Sequence, residues 1–326
     1  MLDQLRPRRV DARLHRPLAA RRRRPHRLGV GLPAPRRQVP GGDGRAGRGD
    51  GTVDAGRTGA HRRRERGRPL PAVDLAGAGK VVVVTGASSG LGRQFALDLA
   101  KQGANVIGLA RREELLKELG LPYRVCDVSD TEAFAVLLAD VEREHGRIDI
   151  LANNAGVGEM APFEDSTIDD YRAMLETNFF AAVAGTLQVL PGMRTRRSGV
   201  IVNVSSDAAR APEPGNGAYS SSKAALSAFT ESISYEVESF GVRVHVLYPA
   251  WVPTAMGQGA VDDEAMPLPP KAVRRTAEQV SKLLLDKMGG PVIAINASKL
   301  PMVAGIARTI FERGYRYGIK RAFWER

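Results

Sequence analysis

Seven short, nearly continuous apolar runs alternate with amphipathic segments along this chain, and that alternation restricts its fold more than any other feature. The runs occupy 81–84, 105–109, 123–128, 148–152, 200–204, 242–247 and 292–295. Between them a 3.6-residue apolar period predicts helices over 93–102, 131–145, 168–194, 218–240 and 277–288. Thr276, with Gln279 three residues on, adds a capping-box signature to the last of these. Strands that are apolar on both sides need cover on both sides. The expected fold is therefore α/β, a single doubly wound parallel sheet of about seven strands with right-handed crossovers and helices on both faces. Ligands of such sheets bind beyond the carboxyl ends of the strands.

Charge is divided unevenly along the 326 residues. Residues 1–72 hold twenty arginines, no lysine and six acids, whereas residues 73–326 hold 28 basic and 30 acidic side chains, so the first segment accounts for the whole net charge of +12. That segment has no Ile, Phe, Tyr, Trp, Ser, Asn or Cys and is rich in Pro and Gly. It cannot bury a core, and is expected to be disordered. Missing Ser, Lys and Asn set it apart from ordinary disordered segments and from mitochondrial transit peptides. Arg, Gly, Ala and Pro are what GC-rich codons encode, so the expectation is upstream DNA translated from a misplaced start, with Val73 the natural first residue. A basic arm for nucleic acid or an anionic surface is the other reading.

The remaining 254 residues suffice for one domain, 73–300, followed by an extension, 301–326. Cys126 is the lone cysteine, which leaves no internal disulfide and no Cys-rich metal site; His145 and His245 have no ligand spacing, read as structural, and imply no metal. No apolar run approaches the roughly 18 residues of a spanning helix, and the arginine-rich start has no apolar signal region. A reducing, cytoplasmic setting is the expectation.

Directly after the first run comes Thr85-Gly86-Ala87-Ser88-Ser89-Gly90-Leu91-Gly92, which opens the first helix. Glycines at 86, 90 and 92 permit a tight turn and a close backbone approach to a pyrophosphate, while the helix start offers unpaired N–H groups to the anion. Further along, Tyr219 and Lys223 are four residues apart where an Asn-Gly turn gives way to helix formers. One helical face would carry both. A free phenol, pKa about 10, is too weak an acid for neutral pH, and a neighbouring cation is expected to lower it.

These features and others in fixed order resemble the short-chain dehydrogenase/reductase family over roughly residues 74–300. The matching set is the glycine loop (Gly86, Ser88, Ser89, Gly90, Leu91, Gly92), Asp127 with Val128, Asn153-Asn154-Ala155-Gly156, Asn178, Ser206 with Tyr219 and Lys223, and the stretch from Pro249 to Thr254. The resemblance implies a Rossmann-type sheet, a nicotinamide cofactor and a small-molecule carbonyl or alcohol substrate. It gives Tyr219 the role of general acid in reduction and Ser206 that of polarising the substrate oxygen. Lys223 would also hold the nicotinamide ribose, and Asn178 would anchor a water linking Lys223 to solvent. The second strand ends Leu109-Ala110-Arg111-Arg112, with no acid for a ribose 2′-hydroxyl and two arginines suited to a 2′-phosphate, so NADP(H) is expected.

This sequence departs from the family pattern twice. Ala250 stands at a usual glycine, and the D-G-G ending of the last strand is replaced by Asn296-Ala297-Ser298. Met256, Met266 and Leu268 fall where the family forms a substrate lid, which points to a hydrophobic substrate such as an oxoacyl chain, or else to a plain surface loop. The aromatic and basic extension would pack near the substrate opening or a subunit neighbour, with membrane contact the alternative. The family also implies a homodimer or homotetramer through the helices at 168–194 and 218–240. No nucleic acid is expected on the folded domain. NADPH-dependent reduction of a ketone or aldehyde is the leading expectation; a catalytically silent NADP-binding regulatory protein, or nucleic-acid binding by the arginine-rich segment, are the others.

Overall fold

The computed structural model of the protein describes residues 79–253 and 269–324. The arginine-rich segment, Val73, Thr254, Met256, Met266 and Leu268 lie outside the described residues. Seven strands form one sheet in the order β3-β2-β1-β4-β5-β6-β7. They are β1 Val81–Thr85, β2 Asn105–Ala110, β3 Tyr123–Val125, β4 Ile150–Asn153, β5 Gly199–Val204, β6 Val242–Tyr248 and β7 Ala294–Asn296. Every neighbouring pair is parallel. Strand order reverses between β1 and β4, and the switch point faces the loops that follow those two strands.

Nine α-helices lie among the described residues. They are α1 Gly90–Lys101, α2 Glu113–Lys117, α3 Thr131–His145, α4 Ile168–Leu175, α5 Ala181–Arg196, α6 Gly217–Val237, α7 Ala277–Lys287, α8 Leu300–Ile310 and α9 Glu312–Trp324. The two-residue side-chain period of β1 assigns the layers. Val82 and Val84 join Phe95 and Leu99 of α1, Leu116 of α2 and Val280 and Leu284 of α7 in one apolar cluster. Val81 and Val83 join Phe134 and Leu138 of α3, Val189 and Met193 of α5 and Val237 of α6 in the other. Both faces are covered, as the doubly apolar strands require.

Element ends follow local chemistry. Asp130 caps α3 by accepting from Ala133 N at 3.0 Å, and Gly146 ends it in the left-handed conformation at φ 75°. Thr276 and Gln279 make both bonds of the capping box, at 3.1 and 3.3 Å. Helices α4 and α5 run on through a π-helical turn, Glu176–Phe180. Against the expectation that no apolar run approaches a spanning helix, the continuous helix Ile168–Arg196 is long and apolar enough, by length and composition only, to cross a membrane. It packs against α3 and the sheet through Val189 and Met193.

His245 is fully buried; its Nδ1 lies 2.7 Å from Val292 O and its Nε2 accepts from Gly289 N at 2.9 Å. That pattern requires the proton on Nδ1. Burial pushes the ring down to about 4, so it stays neutral and pins the loop that enters β7. Burial likewise pushes the Cys126 thiol up to about 11, which leaves it inert.

Candidate active site

The loop after β1 is shaped by what stands against it. Gly86 and Gly90 have φ of 69° and 57°, open to glycine at low cost. A Cβ on Gly92 would lie 2.3 Å from Asn154 Nδ2 and 2.5 Å from Gly86 O. Asn154 therefore fits where side chains are missing. Its Nδ2 donates to Thr85 O at 2.9 Å, and Thr85 Oγ1 accepts from the backbone N–H groups of Asn154 and Ala155, both at 2.9 Å. These bonds staple the β1 loop to the β4 loop across the switch point. Asn153 points into the interior, donating to Asn203 Oδ1 at 2.8 Å, and Asn203 donates to Thr230 at 2.9 Å.

Ser89 is the N-cap of α1, but its side chain makes no capping bond. The first-turn N–H groups of a twelve-residue helix are thus left for an anion. Ser88 and Leu91 are buried, and Leu91 can contribute only backbone to a ligand. Arg112 Nη2 donates to Ser88 Oγ at 3.2 Å and Ser89 Oγ at 2.9 Å, which brings a guanidinium onto the same loop. Arg111 pairs with Asp127 at 3.6 Å. Burial raises the Asp127 carboxyl, but two hydrogen bonds from Ser129 and the charge of Arg111 outweigh it and hold the group below its usual range. Val128 beside it is buried. Left-handed glycines, open helix N–H groups and two arginines fit a phosphate-bearing dinucleotide.

The chemical groups converge beyond β4 and β5. Ser206 follows β5, and its Oγ accepts from Ala208 N at 3.2 Å as cap of the 3₁₀ turn Asp207–Ala209. Tyr219, half-buried, is the third residue of α6, and Ser206 acts on its phenol from the end of β5. Lys223, 4% exposed, donates to Val204 O at 2.9 Å, and its Nζ lies 5.9 Å from the Tyr219 ring centre. Burial pushes this ammonium down to about 8.

The expectation that Lys223 lowers the Tyr219 pKa is corrected here. Burial pushes the phenol up, Ser206 partly opposes that, and Asp207 adds to the rise. The lysine is aimed at a backbone carbonyl and not at the phenol oxygen, so its cation does not dominate. Asp207 is the residue that sequence reasoning missed. Burial pushes its carboxyl up to about 6, with Arg210 opposing and Glu213 adding, and its Oδ1 has no hydrogen-bond partner. Its place next to Ser206 was the available signal.

Asn178 lies in the π turn and is 2% exposed. Its Oδ1 accepts from Val157 N at 2.8 Å, while Nδ2 donates to Val157 O at 2.8 Å and Ser222 Oγ at 3.0 Å. Both amide protons are used, so a water on this side chain has one Oδ1 lone pair to meet. Ser222 in turn donates to Tyr219 O at 2.8 Å. Asn178 thereby fixes the start of α6 against the β4 loop. A Cβ on Gly156 would lie 3.0 Å from Asn178 Oδ1 and 3.3 Å from Lys223 Nζ, so the gap between those polar groups depends on glycine.

The stretch from Pro249 turns at Ala250, whose φ is 63°. The alanine adopts the left-handed backbone that its position calls for, although the residue differs. Trp251 N then donates to Val273 O at 3.0 Å and Arg275 N to Trp251 O at 2.9 Å, which anchors the chain before it reaches Thr254. Where a D-G-G ending is lacking, Asn296 Oδ1 accepts from Arg210, whose guanidinium also lies 3.4 Å over the Tyr248 ring. Helix α8 then passes Arg210 at Gly305, where a Cβ would be 3.4 Å from Arg210 Cβ.

The family model described as short chain dehydrogenase matches residues 80–265. Dehydrogenase/reductase SDR family member 7B of Danio rerio is 38% identical over 197 residues, 56% of this chain and 64% of that protein, so the chain spans under two thirds of that relative's length. The protein of the same name from Xenopus laevis is 32% identical over 249 residues, 71% of this chain and 75% of its own. A crystal structure of an actinorhodin polyketide ketoreductase variant with NADPH superposes with a TM-score of 0.63 at 28% identity, over 68% of this chain and 96% of the other. With its parallel sheet, glycine loop and Ser206, Tyr219 and Lys223 in one place, the chain belongs to the short-chain dehydrogenase family of oxidoreductases.

Proposed function

We propose that this protein reduces a ketone or aldehyde with NADPH, on a hydrophobic substrate such as an oxoacyl chain. The observation that carries the reading is the convergence of Ser206, at the end of β5, with the half-buried Tyr219 and, one helical turn on, the buried Lys223 of α6, whose Nζ lies 5.9 Å from the Tyr219 ring centre. A phenol held protonated by burial is a proton donor, and the Ser206 hydroxyl beside it can donate to the same substrate oxygen. A nicotinamide cofactor supplies the hydride. Gly86, Gly90, Gly92 and the start of α1 would hold its pyrophosphate, Asp127 and Val128 its adenine, and Lys223 its ribose.

NADP(H) is favoured over NAD(H) because Ala110 leaves no acid to repel a 2′-phosphate and Arg112 stands on Ser88 and Ser89. The ketoreductase solved with NADPH is consistent with this. We further place the protein in the cytoplasm, as a homodimer or homotetramer. Support for assembly comes from Phe180 and Leu187 on the 168–196 helix and Tyr235 on α6, which are exposed. Turnover of purified protein with NADPH and with NADH against ketones, aldehydes and oxoacyl thioesters tests the reading. Tight NADPH binding with no turnover on any of them would favour a silent regulatory protein instead.

A further inference from the structure

Helix α8 is inverted relative to an ordinary surface helix. None of its residues is buried, yet Leu300, Val303, Ile306 and Ile310, with Phe311 just beyond, are between 49% and 69% exposed. At 3.6 residues per turn these five fall within one arc of roughly 140°. Gly305 lies outside that arc, on the side that meets Arg210. The helix thus touches the domain with its smallest residue and turns its branched side chains to solvent, opposite to the usual pattern.

The chain that flanks this stripe, at the start and end of α8 and along α9, is basic. Lys299, Arg308, Arg313, Arg316 and Arg321 are all exposed, and Glu312 is the one acid between residues 299 and 324. We propose that this face of α8, with its basic flank, is a docking surface for an anionic lipid bilayer. An apolar stripe can enter the acyl boundary while flanking cations meet the headgroups, and the helix lies in the interface without spanning it. A second copy of the chain would bring like charges together along the same stripe. A bilayer of anionic lipid complements both parts of the surface. The inference stands apart from the reaction proposed above.

The test uses the full chain with vesicles of phosphatidylcholine, alone or mixed with phosphatidylserine. Residues 1–72 carry their own arginines, so cosedimentation does not distinguish them from α8, and the readout must be local. Cys126 is buried, which leaves a cysteine introduced by Val303→Cys as the reactive thiol for an environment-sensitive fluorophore. The expected result is a blue shift with a rise in emission of about twofold or more on phosphatidylserine vesicles, partly surviving high salt. Adding Ile306→Asp and Ile310→Asp should weaken high-salt partitioning by about tenfold without changing the thermal midpoint, since neither side chain is buried. The proposal is overturned by absence of binding, by sedimenting protein with unchanged emission, or by partitioning that ignores the two aspartates. A blue shift without vesicles that grows with protein concentration would overturn it in favour of a second copy.

Discussion

The Nζ of Lys223 donates to the carbonyl oxygen of Val204 at 2.9 Å and so ties α6 to the end of β5. One hydrogen bond in a buried setting does not replace the hydration of an ammonium with three donors. Its pKa falls from 10.5 to about 8. A depressed folded-state value means that the native chain binds fewer protons between those limits, so stability present above the unfolded value is lost as pH falls through about 8. Lys223→Met keeps much of the volume and removes the charge. In the absence of cofactor it is expected to stabilise the fold at pH 7 by about 1–2 kcal/mol, to gain less above pH 10, and to abolish turnover. Denaturant titrations at the two pH values check this, and a Met variant less stable at pH 7 would contradict it.

Tyr219→Phe removes the proton donor and leaves the ring. Turnover is expected to fall by about 10³-fold with NADPH affinity changed by less than about twofold. Stopped-flow single turnovers and cofactor titration separate the two quantities. Near wild-type turnover would sink the acid role of Tyr219.

Asp207 makes the site sensitive to pH from the other direction. Its carboxyl is raised from 3.8 to about 6, chiefly by burial. The native state then binds more protons than the unfolded chain, so stability present below the unfolded value is lost as pH rises through about 6. Asp207→Asn should stabilise the protein at pH 7 by about 1 kcal/mol and make little difference at pH 4. Because Asp207 also adds to the raised phenol pKa, the variant should shift the rising limb of the pH profile for alcohol oxidation to lower pH. An unmoved limb would show that Asp207 is not coupled to Tyr219.

Much of this fold was legible because period and charge were unambiguous. Strands apolar on both faces dictated the two-sided sheet, and the apolar period over 131–145 coincides with α3, which Asp130 caps and Gly146 ends. Short elements were not legible: α2 has five residues, too few for a helical period, and β3 stops at Val125 because Cys126 leads directly into the Asp127 turn. In the site, spacing put Tyr219 and Lys223 one turn apart on a helix, as α6 has them, but the sign of the phenol shift follows from burial, which the spacing does not show. Arg112 on Ser88 and Ser89 was equally hidden, since residues 23 and 24 apart meet only once β1 and β2 pair. Side-chain direction is a tertiary property.

That contact separates the two arginines. Arg112 reaches the glycine loop, whereas Arg111 is paired with Asp127. Arg112→Ala is expected to weaken NADPH by about tenfold or more with NADH changed by less than about threefold, because a charge-assisted bond to a 2′-phosphate is lost. Arg111→Ala should act in the same direction and also free Asp127. Isothermal titration with both cofactors decides the matter, and equal weakening of NADPH and NADH by Arg112→Ala would remove it from the phosphate.

Ala250 supplies the last prediction, because a residue with a Cβ holds φ at 63°. Left-handed backbone costs an L-residue about 1–2 kcal/mol, and glycine pays none of this while losing about 0.5–1 kcal/mol of additional backbone entropy. The turn cannot relax by itself, since Trp251 and Arg275 hold the next residues to the 271–275 segment. Ala250→Gly should therefore stabilise the fold by up to about 1 kcal/mol, a rise of about 2–4 °C for a domain of this size. Turnover should be unchanged at saturating cofactor, as the backbone already follows the glycine path. Differential scanning calorimetry checks the first part. A drop in the midpoint would mean that the alanine methyl contributes packing worth more than the strain it imposes.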